Sequence, residues 1–160
     1  MDAKKLLEKW EKHNVPPLGY VSNKKQEGVW QFMSSQINGM SGKETRETKI
    51  GEITNIINRY DVNLFVGMEL GVNWITLKIS RGFAAWFLAE RELRATTSHN
   101  IHGYSVRTAQ QGGIGMLVLH EILEYAKGSA NNFRGLGRWS SFQLYSNKEH
   151  RTRFIASYSP

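Results

Sequence analysis

The stretch Val62-Asn-Leu-Phe-Val-Gly-Met-Glu69 decides how this chain is read. From Val62 to Met68 it is almost continuously apolar, the pattern of a strand buried on both faces. Upstream, Ile50, Ile53, Ile57 and Tyr60 fall at spacings of three, four and three, which puts one buried stripe on a helix over 47–60. Before that helix, Val29 to Ile37 reads as a strand closing on Asn38-Gly39, and 40–48 reads as a polar loop. Strand, helix and strand within about forty residues make the parallel crossover unit.

Working outward, residues 71–80 read as loop or short helix, and 82–89 as helix or strand. A strand is expected over 92–100, and Gln110-Gln111-Gly112-Gly113 leads into an apolar strand over 114–119. Residues 140–145 and 151–158 form two antiparallel neighbours joined by a polar turn. At the other end, Leu6, Leu7 and Trp10 mark an amphipathic helix over 3–13 that Pro16-Pro17 stops, because proline has no amide hydrogen to donate. Residues 1–27 are therefore a basic helical extension and linker, and 28–160 the main domain. The expected class is α/β, with a mixed sheet and helices packed on one face.

Bulk chemistry narrows the function. Of 160 residues, 40% are hydrophobic, enough to fill a core and to exclude wholesale disorder. A formal charge of +7 favours an anionic partner, nucleic acid first among them. Cysteine is absent, which excludes disulfides, thiolate metal sites and thiol nucleophiles and suits a reducing intracellular compartment. The start lacks the pattern of a signal peptide, and the longest apolar run, 83–89, is far below the roughly twenty residues that cross a bilayer. The expectation is a soluble intracellular protein, nuclear or cytoplasmic.

The chemistry-bearing residues sit at strand ends. Glu69 follows its strand directly, where an acid either marks the exit into solvent or offers a hard oxygen ligand to Mg²⁺. Asn38 holds the corresponding place one crossover earlier, as half of an Asn-Gly turn or as an amide beside a metal-bound carboxylate. His99 and Asn100 follow a strand and suit a phosphate contact, though a lone His is commonly structural. Tyr158 ends the last strand, either as an interfacial aromatic or as a hydroxyl for a phosphate. Around it, Arg134, Arg138, Lys148, Arg151 and Arg153 interleave with Phe133, Trp139 and Phe142, which suits a nucleic-acid backbone or a solvated basic face.

In order, these pieces resemble one family. Ile37-Asn38-Gly39, a helix, a buried strand ending in Glu69, Ser98-His99-Asn100, Gln111-Gly112-Gly113-Ile114-Gly115 before a strand, and Tyr158-Ser159-Pro160 look like the endonuclease/exonuclease/phosphatase superfamily. Abasic-site endonucleases, DNase I and retroelement endonuclease domains belong to it, and Gly137-Arg138-Trp139 resembles the retroelement members. The resemblance implies a four-layer α/β sandwich of which this chain is the first half, and a Mg²⁺- or Mn²⁺-dependent phosphodiesterase acting on DNA. Glu69 would hold the metal with Asn38 beside it, Tyr158 would contact the scissile phosphate, and His99, Asn100, Arg138 and Trp139 would contact substrate.

The family also carries an Asp-x-Asn pair soon after the Tyr, and a late Ser-Asp-His. The sequence to Pro160 holds neither, and Ser159 stands where many relatives have Arg. Loss of a general base alone typically costs about 10²–10⁴ in rate. The expectation is an incomplete site with a bare second sheet face, met by self-association or a second polypeptide. The alternatives are a non-catalytic nucleic-acid-binding module or a degenerate retroelement fragment.

Overall fold

The computed structural model describes residues 25, 27–40, 42–72, 82–87, 92–98, 112–131, 137–146 and 150–158. The crossover forms as expected. Strand β1 (Phe32–Gln36) leads into helix α1 (Lys43–Tyr60), which returns to β2 (Leu64–Met68). The two strands are parallel, with Phe32 opposite Leu64 and Gln36 opposite Met68. Helix α1 begins earlier than the periodicity of its isoleucines suggests, because its first turns are polar and solvent-facing, with Glu44 near the positive end of the helix dipole. Asp61 ends it in a left-handed conformation (φ 48°), and the Val62 amide turns back to the Ile57 carbonyl at 3.1 Å.

Strands β3 (Leu93–Ser98) and β4 (Ile114–Leu119) complete a mixed sheet in the order β1-β2-β4-β3, β4 running antiparallel to both neighbours. All six residues of β4 are buried. On one face, Phe65, Leu117 and Leu119 meet Ile53 and Ile57 of α1. A 3₁₀ turn, Phe83–Trp86, occupies the segment whose helix-or-strand character was open, and its Phe83 joins the same core. Gly115 makes room for that ring: a Cβ there would lie 2.5–2.9 Å from three Phe83 ring atoms.

The opposite face departs from expectation. Strands β5 (Ala126–Asn131), β6 (Trp139–Tyr145) and β7 (Arg151–Ser157) do not lie bare beside the first layer; they form an antiparallel sheet of their own. Its Phe142, Leu144 and Ala156 pack on Leu64, Ile114, Met116 and Val118. The expected uncovered sheet face is thereby corrected over β2 and β4, while on β1 Phe32, Ser34 and Gln36 of the same face stay exposed. The physical reason is the alternation in β6 and β7, whose apolar residues at Phe142, Leu144, Phe154 and Ala156 all fall on one side. The large hydrophobics left exposed among the described residues are Val29, Trp30, Phe32 and Ile155, and Phe32 and Ile155 line an open groove with Leu64, Val66, Met68 and Phe154. Strand β5 escaped the sequence reading, since Ala-Lys-Gly-Ser-Ala-Asn has almost no apolar content; pairing with β6 holds it. The expected N-terminal helix over 3–13 lies outside the described residues.

Because neither layer can yield around Gly115, Gly115→Ala overpacks the α1 face. We expect a loss of about 1–3 kcal/mol in urea unfolding, partly restored by Phe83→Leu in the same chain. Equal stability of Gly115→Ala and wild type contradicts the packing described.

Candidate active site

Parallel strands β1 and β2 both end at one edge of the first sheet, and each leaves it through a left-handed residue. Asn38 and Glu69 both have φ 54°. Pairing continues past the strands: Ile37 N–H donates to Met68 O (2.8 Å), Gly39 N–H to Glu69 O (2.8 Å) and Met40 N–H to Leu70 O (2.7 Å). On the other side, Leu70 N–H and Gly71 N–H donate to Gly113 O and Gly112 O, at 3.2 and 2.9 Å. Gly112 and Gly113 both have positive φ, and a Cβ on Gly113 would sit 3.5 Å from the Leu70 Cβ. Three strand ends thus clamp the backbone of Glu69 from both sides.

The Glu69 carboxylate receives two side-chain donors. The Tyr158 hydroxyl donates to Oε1 and the Gln36 amide to Oε2, both at short range. Tyr158 comes from the second sheet, and its own N–H is fixed on the Arg138 carbonyl at 2.8 Å. Glu69 and Tyr158 are therefore brought together by the packing of two sheets. The amide beside Glu69 is a different one from that expected. Gln36, the last residue of β1, reaches it, while Asn38 lies exposed in the turn. Strand parity is the signal that could have found Gln36, since positions 36 and 38 share a face and only the first is still in the strand.

Lys49 of α1 was also missed. Its ammonium donates to three successive carbonyls of the β1 exit, Ile37 O at short range, Asn38 O at 3.1 Å and Gly39 O at 2.8 Å. One cation thus holds the whole Asn38 turn in shape. Arg138 is exposed and contributes its carbonyl, and Trp139 opens β6 opposite Ser157. His99 and Asn100 lie outside the described residues.

Hydrogen bonding sets the charges. The bonds from Tyr158, then Gln36, hold the Glu69 carboxyl below its ordinary pKa, so it is an anion at neutral pH. The same contact, with some burial, holds the Tyr158 hydroxyl above its ordinary value and keeps it a donor. A lowered carboxyl favours the folded state above its unfolded pKa, and that contribution fades as pH falls through the folded value; a raised hydroxyl fades as pH rises through its own. The contact is intact between those limits. As to a metal, no group of three or more His, Asp or Glu able to hold one occurs among the described residues. Glu69 alone offers one anionic carboxylate with lone pairs to spare beyond its two donors. That fits a hard cation held mainly by phosphate oxygens and water, as Mg²⁺ often is.

By ¹³C-tyrosine NMR, with Tyr158→Phe identifying the resonance, Tyr158 should titrate above the ordinary value of about 10, and Glu69→Gln should bring it back down. A Tyr158 midpoint that Glu69→Gln leaves unmoved contradicts the hydrogen bond.

No family model and no curated protein sequence matches the chain. Solved structures do. An AP endonuclease from Leishmania major superposes with a TM-score of 0.59 at 9% identity, over 86% of this chain and 45% of the other. An endonuclease/exonuclease/phosphatase family protein from Leptotrichia buccalis C-1013-b does so at 0.52 and 12% identity, over 82% and 55%. The chain spans about half the length of each of these proteins. Its two facing sheets and flanking helix are the fold of the endonuclease/exonuclease/phosphatase proteins.

Proposed function

We propose that this chain is a phosphodiesterase domain of the endonuclease type, acting on nucleic acid with Mg²⁺ or Mn²⁺. The observation that carries the reading is the Glu69 carboxylate, held ionised between Tyr158 and Gln36 at the sheet edge where ligands of open α/β sheets bind. A divalent ion, when bound, supplies Lewis-acid polarisation of the phosphate and charge for the leaving oxygen. Glu69 holds that ion, and Gln36 fixes the rotamer of Glu69. Tyr158, kept protonated, stands ready to donate to a phosphate oxygen that approaches Glu69. Lys49 keeps the Asn38 turn rigid, so the exposed Asn38 amide is presented to substrate. DNA as the substrate and a retroelement-type ancestry rest on the Gly137-Arg138-Trp139 segment and the basic balance of the chain.

One observation favours a second reading. Among the described residues, Glu69 is the one carboxylate bonded to the Tyr158 hydroxyl, and no group of acids and histidines joins it. A module that binds nucleic acid without cleaving it needs no more than this.

Nicking of supercoiled plasmid separates the two. With Mg²⁺ or Mn²⁺ present, the nuclease reading expects cleavage that EDTA abolishes and that Glu69→Ala lowers by at least about a hundredfold, a loss typical of a catalytic group. Tyr158→Phe should lower it as well. Cleavage indifferent to Glu69→Ala sinks the catalytic assignment. No cleavage, with plasmid binding that survives EDTA and fades steeply with salt, establishes the binding module.

A further inference from the structure

A phenol has one hydrogen to donate, and at this site it is already engaged. The Tyr158 hydroxyl donates to Glu69 Oε1, while the Gln36 amide holds Oε2. The rest of Tyr158 is held in place. Its N–H is tied to the Arg138 carbonyl at 2.8 Å, and its half-buried ring packs against the core between the sheets. On the other side, a Cβ on Gly112 would lie 4.0 Å from Tyr158 Cε1. What stays free is rotation of the hydroxyl about its C–O bond, which re-aims the hydrogen while the ring keeps its position.

Glu69 does not depend on Tyr158 for its orientation. Its carbonyl accepts from Gly39 N–H, and the next two amides, Leu70 and Gly71, donate to Gly113 and Gly112. Gln36 then fixes the carboxylate from Oε2. With backbone and rotamer set by other groups, the bond from Tyr158 acts mainly on charge. A donor hydrogen and a hard cation draw on the same negative charge of a carboxylate oxygen, so each weakens the hold of the other. A phosphate oxygen at this edge competes for the same hydrogen, and the hydroxyl serves one anion at a time.

We infer that the Tyr158 hydroxyl is a switch between Glu69 and the substrate phosphate, and that in leaving Glu69 it strengthens the grip of that carboxylate on the divalent ion. The inference rests on the proposed function and adds its regulation. Without phosphate, Tyr158 engages Oε1 and damps metal binding; a phosphodiester that takes the hydrogen releases Oε1. No proton is transferred, since the hydrogen stays on the phenol oxygen and only its acceptor changes. Linkage makes the effect reciprocal, so an ion at Glu69 favours the hydroxyl facing phosphate by the same factor. The site thus holds metal weakly until a phosphate arrives.

The test is Mn²⁺ binding to the whole chain, read from the EPR signal of free Mn²⁺, with and without dimethyl phosphate, a diester stable over the measurement. Tyr158→Phe removes only the hydroxyl. It should bind Mn²⁺ alone at least about threefold more tightly than wild type, a fraction of what a charge-assisted hydrogen bond contributes. Dimethyl phosphate should tighten Mn²⁺ binding by wild type, and do so less in Tyr158→Phe. Circular dichroism melts confirm that each variant is folded, and the wild-type diester arm reads the coupling with no substitution at all. A Tyr158→Phe chain that binds Mn²⁺ like wild type overturns the inference. So does one that binds it more weakly, the result expected when a hydrogen bond merely supports a metal ligand. An equal effect of the diester on both proteins overturns it too. The reading of Glu69 as the ligand of the metal fails separately, when Glu69→Gln binds Mn²⁺ like wild type.

Discussion

Strand β4 is buried along its whole length, and that constraint organises the molecule. A strand with apolar residues on both faces must be covered twice. Leu117 and Leu119 demand α1, while Ile114, Met116 and Val118 demand a second layer. At roughly 1.5–3 kcal/mol for each fully buried large side chain, neither face tolerates exposure. The hairpin β6–β7 supplies the second cover, and its packing carries Tyr158 across to Glu69. Burial of β4 is thus the reason an acid on one sheet and a phenol on the other share a proton donor–acceptor contact.

The site inherits its rigidity from backbone rather than from side chains. Glu69 sits in a left-handed conformation that a non-glycine residue adopts only at some cost, of order 1–3 kcal/mol when the surroundings impose it. The surroundings here are the Gly39 and Met40 amides on one side and the Gly112 and Gly113 carbonyls on the other. At φ 97°, Gly113 holds a backbone conformation that residues with a side chain rarely adopt, and from it the Gly113 carbonyl meets the Leu70 amide. The left-handed turn aims the carboxylate out of the sheet edge, where Gln36 and Tyr158 meet it.

What the sequence made legible follows from which patterns are local. The crossover β1-α1-β2 was readable because each element carries its own period, and β4 and the β6–β7 hairpin because their apolar runs are long enough to name a strand. Glu69 and Tyr158, which the structure brings into contact, each stand at the end of such a run. Strand β5 was not, because its order comes from a neighbour and not from its own side chains. Gln36 was passed over for Asn38 because Asn-Gly advertises a turn, whereas contact with Glu69 depends on which residue still obeys the strand's alternation. Lys49 was invisible for a similar reason: its partners are carbonyls, and carbonyls carry no sequence signal.

The layering also decides where the two readings of function diverge. The side chains that bond Glu69 come from β1 and the end of β7, so the described residues place one anion at the edge of a largely basic chain. On the proposed reading, that carboxylate, flanked by a hydroxyl and an amide, would share a divalent ion with phosphate oxygens of the substrate, which would couple the binding of metal and phosphate.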